Sequence, residues 1–429
     1  MGKLFGTDGI RGTAGVDLTT DLVARVGRAL AALCESERPR IVVGRDTRVS
    51  GPAFEEAFVG GVTSGGGDVL LAGIMPTAGV AFLTAELNAD AGVVVSASHN
   101  PPDHNGVKIF GAGGWKLSAS DEDRIERTVD SAATPGGGNV ETINDAAGRY
   151  LDHLTRDGRA DLSGMNVVID CANGAASSFA PVAFERLGAD VVALHAEGDG
   201  SRINDGCGAL HPDVVAKVAK ERNAIGITLD GDADRVLLVD ETGTIVDGDG
   251  IIALLAEHMS AEGVVVTVMS NQALRRWCER AAIRVVETPV GDRHVLNALR
   301  ETGLLLGGEQ AGHIARLDQM TTGDGILIGL DVCGSVAASG GRLADVVPFR
   351  PLPQVLINVP VAKSNGLDRS AHVRDAIAEA ERKLGRDGRV LVRPSGTEPL
   401  VRVMVEAPDA AVAGELAEIV ADAVRRGAH

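Results

Sequence analysis

Residues 224–235, AIGITLDGDADR, carry an apolar, β-branched run that stops in three aspartates at alternate positions, Asp230, Asp232 and Asp234. A short buried strand followed by a tight polar loop is the repeating signature of a mainly parallel sheet. Working outward, this run closes a longer unit. VVIDCANG (167–174) leads into an alanine-rich helical stretch ending at Leu187, and DVVALH (190–195) follows. The same rhythm occurs earlier as IVVGRDTRVSG (41–51), helix-like PAFEEAFVGGV (52–62), DVLLAG (68–73) and GVVVSASHNP (92–101). It occurs later as VVVTVMSNQ (264–272), ALRRWCERAA (273–282), RVVETPVGD (284–292) and LLLGGEQAGH (304–313). Strands alternating with helices predict three related α/β domains with functional loops beyond the carboxyl ends of strands.

The last ~65 residues change order to helix, strand, loop, strand, helix, with Asp409 as the expected N-cap of the final helix. That pattern predicts a separate α+β cap. Boundaries are expected near Gly148–Asp152, Gly248–Gly250 and Lys363–Gly366, giving domains 1–150, 151–249, 250–364 and 365–429. TPGGGN (134–139) reads as a mobile surface loop.

At 429 residues the chain exceeds what one core usually supports, which fits several domains. The 41 Lys plus Arg against 59 Asp plus Glu give a formal charge of -18, unfavourable for a nucleic-acid lattice. An anionic ligand must be small and captured locally. Five scattered cysteines without a CxxC pair indicate neither a disulfide framework nor a zinc cage. No secretory h-region and no membrane-length apolar run is present, so the expected location is the cytoplasm, without a membrane partner. GxxxxGK[ST], GxGxxG and HExxH are all missing, which removes the usual fingerprints of nucleotide and zinc-protease chemistry.

Three carboxylates in one tight loop repel one another unless a cation joins them, and a hard divalent ion is their natural partner. A solvated acidic turn is the competing reading. The run starts like a calcium-binding EF-hand loop, with Glu241 at its twelfth position, but Arg235 stands where that loop needs glycine. Mg²⁺ is therefore expected, with a coordination position left for a phosphate oxygen. Ser98, in SASHNPPDHNG (96–106), follows an apolar strand in a loop whose prolines and glycine forbid regular structure. It is either a nucleophile needing a base or a metal-held phosphoryl partner, or a turn residue satisfying local backbone.

RVLVRPSGTEPLVRVMVEA (389–407) sets Arg393, Ser395, Gly396 and Thr397 in a loop, with Arg402 on the next strand. Guanidiniums, hydroxyls and backbone N–H groups make a phosphate cradle, unless this is a plain hairpin. Thr7 and Arg11 lie in the glycine-flanked FGTDGIRG (5–12). Glu309, Gln310 and His313 in GGEQAGH (307–313) suit the reading of sugar hydroxyls, and Lys108 offers a cation ten residues past Ser98.

FGTDGIRG, SASHNP, NGVKIF, DGDADR, GEQAGH and RPSGTEP stand in the order and spacing of the α-D-phosphohexomutase superfamily, and the chain resembles that family nearly end to end. TPVGDRHV (288–295), TTGDGI (321–326), INDGCGALHP (203–212) and Ser96 resemble its phosphoglucosamine mutase branch most. The resemblance implies three similar α/β domains with mixed, mainly parallel sheets plus a C-terminal α+β cap around a central cleft. It implies a phosphorylated Ser98 that holds Mg²⁺ together with Asp230, Asp232 and Asp234. Arg11, Lys108 and His313 are then candidates for proton handling or phosphate positioning. Thr7, Ser96, Arg235, Arg293, Glu309 and Gln310 would contact substrate, and the Arg393–Arg402 region would hold the phosphate that is not reacting.

The implied reaction interconverts glucosamine 6-phosphate and glucosamine 1-phosphate through a hexose 1,6-bisphosphate, in a monomer or homodimer. A phosphohexomutase for another hexose phosphate is the alternative, and an inactive sugar-phosphate binder is the alternative of another class. One departure stands out: family members usually carry GEQSGH or GEMSGH, and here Ala311 replaces the serine.

Overall fold

The computed structural model describes residues 4–6, 8–130, 136–361, 370–394 and 400–427. They fall into two compact units, one reaching to Met269 and resuming at Ile283–Pro348, the other formed by Ser270–Ala282 with the chain from Phe349 onward.

The first unit carries three sheets. Sheet one contains β1 (Ile10–Thr13), β2 (Arg40–Arg45), β3 (Asp68–Ile74), β4 (Ala91–Val95), β5 (His104–Gly111) and β6 (Val140–Thr142) in the order β1-β5-β4-β2-β3-β6. Sheet two contains β7 (Asn166–Asp170), β8 (Asp190–Leu194), β9 (Ile225–Leu229), β10 (Val236–Val239) and β11 (Ile245–Val246) in the order β11-β10-β9-β7-β8. Sheet three contains β12 (Gly263–Thr267), β13 (Arg284–Thr288), β14 (Leu306–Gly308) and β15 (Ile314–Arg316) in the order β13-β12-β14-β15.

One plan underlies all three. Three parallel strands lie second-first-third, and a fourth returns antiparallel beside the third: β3-β2-β4-β5, β8-β7-β9-β10 and β13-β12-β14-β15. The third strands of the first two sheets, β4 and β9, are buried at every position, as parallel strands covered on both faces should be. The turn from third to fourth strand thus recurs three times. It carries Ser98 in the first sheet, the aspartates in the second and Glu309–His313 in the third.

The second unit is an antiparallel sheet of β16 (Gln354–Pro360), β17 (Arg389–Pro394) and β18 (Leu400–Glu406) in the order β16-β18-β17, with helices Ala371–Leu384 and Ala410–Gly427. Asp409 Oδ1 accepts from Ala411 N (2.7 Å) and Val412 N (3.2 Å), the cap its position in the sequence suggests. β16 lies before the expected boundary at 364/365 yet is laddered to β18 over seven residue pairs. The boundaries at 150/151 and 249/250 fall inside helices Ala146–Leu154 and Gly248–His258, and Lys363–Gly366 lies outside the described residues. We place the limits instead at Asp145, Asp247 and Phe349, where those helices and the second unit's main segment begin.

Gly136–Asn139, in the segment expected to be a surface loop, lies at the surface and is tied back to the end of the helix Gly51–Ser64. Gly136 N and Gly138 N donate to Ser64 O (3.1 Å) and Thr63 O (3.0 Å). A Cβ on Gly138 would stand 1.7 Å from Gly67 O, so only glycine permits this approach. The segment then runs into β6, parallel to β3. Thr134 and Pro135 lie outside the described residues. Among the described residues no helix is long and apolar enough to cross a membrane.

Tyr150, the one tyrosine, is fully buried and donates to Asp324 Oδ2 (2.8 Å). Asp324 Oδ1 caps helix Gly325–Ser339 by accepting from Ile326 N (3.1 Å) and Leu327 N (3.0 Å). Burial pushes this carboxyl up to about 6, against the pull of those hydrogen bonds. Because folding raises its pKa, its contribution to stability is present below the ordinary value of 3.8 and lost as pH rises through about 6. Replacing Asp324 by Asn should flatten that dependence. Melting temperatures of wild type and Asp324→Asn between pH 4 and 7 should show wild type losing ground to the variant as pH rises; a constant difference would contradict this.

Candidate active site

Ser98 stands just past β4 with φ at +53°, in the left-handed region that a residue with a side chain seldom adopts, and is fully buried. Its hydroxyl donates to Asp230 Oδ2 (2.6 Å), and its N–H donates to Ser96 Oγ (2.9 Å). The His99 imidazole lies beside it, Nδ1 to Oγ 3.3 Å. Burial, then the cations of Arg235 and Arg11, push His99 down to about 3, so the ring beside the serine is neutral.

The aspartate loop is equally constrained. Asp230, Asp232 and Asp234 are all buried, and one oxygen of each lies within 4.8 Å of the others. Ala233 turns the loop with φ at +58°. Gly231 has no room for a side chain: a Cβ there would meet Ser98 O at 2.7 Å. Thr77 fixes Asp232, its Oγ1 donating to Oδ2 (2.6 Å) and its N to the carbonyl oxygen (3.0 Å).

Lys108 on β5 neutralises the cluster, its Nζ reaching Asp234 Oδ2 (2.6 Å), Asp232 Oδ2 (2.7 Å) and Asp8 Oδ2 (3.0 Å). Burial alone would depress this amine, but the three carboxylates outweigh it and hold it charged well above its ordinary range. The aspartates divide. Burial, with Asp234 and Asp232 adding to it, raises Asp230 well above the usual carboxylate range. Asp234 is lowered instead, because Lys108 and His313 overcome its burial.

Whether a metal fits is answered by the oxygens left over. Asp232 Oδ1 and Asp234 Oδ1 are buried acceptors without a hydrogen-bond partner, in the same cluster as the aspartate that meets Ser98. Unpaired buried carboxylate oxygens in an all-oxygen set suit a hard divalent cation. The Asp170–His195–Cys207 cluster is built differently. Asp170 accepts from Ala172 N (2.8 Å) and Gly208 N (3.0 Å) and pairs with His195 Nδ1 (3.0 Å), which accounts for both its oxygens by hydrogen bonding.

Other residues singled out in the sequence take varied places. Arg11, paired with Gly106 across β1 and β5, binds Asp8 and reaches Asn100 Oδ1 (3.5 Å). Arg235 is half-buried, and burial's lowering of its pKa is outweighed by Asp234, Asp230 and Glu309. Glu309 Oε1 accepts from Gly291 N (2.9 Å), joining the third-sheet turn to the TPVGD loop. Gln310 Nε2 donates to Asp247 Oδ2 (3.1 Å). His313 is buried with Nε2 3.6 Å from Asp292 Oδ2. Ser96 is buried, its hydroxyl donating to Asp46 Oδ2 (2.6 Å). Arg293 is held by Glu122 through both terminal nitrogens. In the second unit Arg393 and Arg402 face each other across β17 and β18. Thr7, Ser395, Gly396 and Thr397 lie outside the described residues.

Sequence reading missed Asp8, Lys116, Asp292 and Thr77. Lys116 Nζ bridges Asp8 and Asp292, so one ion-pair chain runs from the aspartate loop through Lys108, Asp8 and Lys116 to the His313 neighbourhood. Asp8 is held well below the usual range because Lys108, Lys116 and Arg11 overcome its burial. The signal was available in part, since Asp8 and Asp292 sit inside the quoted FGTDGIRG and TPVGDRHV.

Comparison with known proteins agrees with this layout. Models of the phosphoglucomutase/phosphomannomutase family match the chain four times: alpha/beta/alpha domain I at 2–135, domain II at 148–243, domain III at 247–350 and the C-terminal domain at 356–423. The phosphoglucosamine mutase of Rhodococcus opacus is 50% identical over 442 residues, covering 99% of each chain. That of Moorella thermoacetica is 48% identical over 426 residues, covering 95% of this chain and 96% of the relative. Among solved structures, a phosphoglucomutase/phosphomannomutase family protein from Burkholderia thailandensis superimposes with a TM-score of 0.84 at 26% identity, covering 98% of this chain and 97% of that one. The N-acetylphosphoglucosamine mutase of Aspergillus fumigatus, solved with GlcNAc-6P and magnesium, shares the fold with a TM-score of 0.67 at 20% identity, over 100% of this chain and 97% of that one.

Removing the ammonium from this cluster should expose its repulsion. Lys108→Met is expected to lose about 3–5 kcal/mol of stability, the usual cost of breaking a buried ion pair from one side. Added Mg²⁺ should restore part of that loss by binding the folded state. Thermal unfolding with and without Mg²⁺ checks this, and a variant as stable as wild type in its absence would contradict it.

Proposed function

The chain belongs to the phosphoglucomutase/phosphomannomutase family, and within it we propose that it interconverts glucosamine 6-phosphate and glucosamine 1-phosphate, with Ser98 carrying the phosphoryl group in transit. The observation that carries this reading is the Ser98 hydroxyl 2.6 Å from Asp230, at a cluster with two unpaired carboxylate oxygens. Near-full-length identity of 48–50% to phosphoglucosamine mutases favours the amino sugar.

In the proposed cycle a free sugar hydroxyl attacks the phosphorus on Ser98. The bond from phosphorus to Ser98 Oγ breaks, and a hexosamine 1,6-bisphosphate forms. After the sugar turns over, Ser98 Oγ attacks its other phosphate and frees the isomeric monophosphate. Asp230, Asp232 and Asp234 would hold Mg²⁺, which when bound offsets charge on the phosphoryl oxygens. Lys108, held among Asp8, Asp232 and Asp234, places a positive charge beside the phosphoryl site. His313 is a candidate for proton handling: its Nε2 is buried, without a hydrogen bond, and lies 3.6 Å from Asp292 Oδ2. Arg11 and Arg235 supply local positive charge for an anionic substrate in a chain of net charge -18. The facing pair Arg393 and Arg402 suits a phosphate, a role proposed on its two guanidiniums. A soluble sugar phosphate as substrate fits activity in the cytoplasm.

Turnover of glucosamine 6-phosphate with Mg²⁺ and a trace of hexose 1,6-bisphosphate should require Ser98 and vanish in Ser98→Ala. Glucose and mannose phosphates, run in parallel, should turn over more slowly; faster turnover of a neutral sugar would move the enzyme to a sister activity. Ala311 is exposed on the third-sheet turn, so Ala311→Ser adds a hydroxyl without displacing core. One neutral hydrogen bond gained is expected to lower KM by about 2- to 10-fold, whereas unchanged kinetics would show that position 311 does not touch the sugar.

A further inference from the structure

Behind the serine loop lies a guanidinium to which the proposed reaction assigns no part. Arg48 is fully buried, and each of its five N–H donors has an acceptor. Nη2 donates to the carbonyl oxygens of Ser98 (2.9 Å) and Asn100 (2.8 Å), and Nη1 to those of Pro101 and His104 (2.8 Å). Nε donates to Asp46 Oδ2 (2.9 Å), and Arg48 N to Asp46 Oδ1 (2.9 Å). Four of the five acceptors are thus carbonyls of residues 98–104, gathered on one planar cation.

The same loop is gripped from the second sheet's side. Asn204 Nδ2 donates to Ser98 O (2.8 Å) and Asn100 O (3.1 Å). Asp46 closes the ring, because its Oδ2 also takes the hydroxyl of Ser96, whose oxygen receives Ser98 N–H. The peptide groups on both sides of Ser98 are therefore fixed independently of its side chain, which is what an unfavourable φ of +53° requires in order to persist.

We infer that Arg48, supported by Asp46 and Asn204, is a positioning residue for phosphoryl transfer: it holds Ser98 in the left-handed conformation that aims Oγ at the aspartate cluster. The inference rests on Ser98 being the phosphoryl carrier. Lysine cannot replace arginine here, since three donors at a single point do not span five acceptors around a plane. Released from the clamp, Ser98 relaxes to negative φ and its oxygen swings away from Asp230.

A crystal structure of Arg48→Lys, with kcat and KM of Arg48→Lys and Asn204→Ala, tests this. Ser98 should leave the left-handed region in Arg48→Lys, and kcat should fall by about 100-fold with KM within about threefold, as a small misplacement of a reacting atom produces. Asn204→Ala should shift kcat in the same direction but less. For Arg48→Ala, millimolar guanidinium should recover kcat at least about tenfold while leaving wild type unchanged. A Ser98 φ still near +53° in Arg48→Lys overturns the clamp whatever the activity, as does wild-type kcat in both Arg48→Lys and Asn204→Ala. Absent turnover by wild type would instead count against the mutase function, and the crystallographic result would still decide the clamp. Should the arginine variants not fold, Asn204→Ala alone decides: a kcat loss at unchanged KM supports the clamp, and wild-type kcat removes it.

Discussion

Asp230, Asp232 and Asp234 are buried together closely enough that they cannot all stay charged without a cation among them, and the surroundings of Ser98 answer that repulsion. Lys108 pairs with one oxygen each of Asp232 and Asp234, Thr77 donates a hydrogen bond to Asp232, and Ser98 donates one to Asp230. The two oxygens left unpaired suit a divalent cation, which the acidic triad could hold. Charge balance extends further, since Lys108 is shared with Asp8, Asp8 with Lys116 and Arg11, and Lys116 with Asp292 beside His313. A residue that moves in this chain changes the field at the serine.

The fold delivers these groups by repetition. Each of three sheets turns from a buried parallel strand into an antiparallel neighbour, and each of those turns carries one part of the candidate site: Ser98, the aspartates, or Glu309 to His313. A parallel strand ends with its last carbonyls and its loop at one edge of the sheet, so placing function there costs no internal pairing. The antiparallel return strand supplies more. β5 brings Lys108 back beside β4, within reach of the aspartates.

Much of this was legible in the sequence because it is local. The strand rhythm, the alternate aspartates and the proline-broken serine loop each declare themselves within a dozen residues, and the family resemblance tied them together. What stayed hidden depends on partners far along the chain. Lys116 meets Asp8 across 108 residues and Asp292 across 176, and Arg48 folds back under a loop some fifty residues away. Nor does a loop sequence tell that the hydroxyl of Ser96 meets Asp46, or that Arg293 pairs with Glu122. β16 escaped for the opposite reason: a strand joined to its sheet by pairing with β18 carries no local sign of which domain it serves.

The most direct measurement is to incubate the protein with Mg²⁺ and a hexose 1,6-bisphosphate, digest it, and locate the acquired phosphoryl group by peptide mass spectrometry. One phosphoryl group on Ser98, acquired by wild type and lost again to glucosamine 6-phosphate, is the expected result. No uptake, or a phosphoryl group on another residue with Ser98 unmodified, would contradict the account of Ser98 as its carrier.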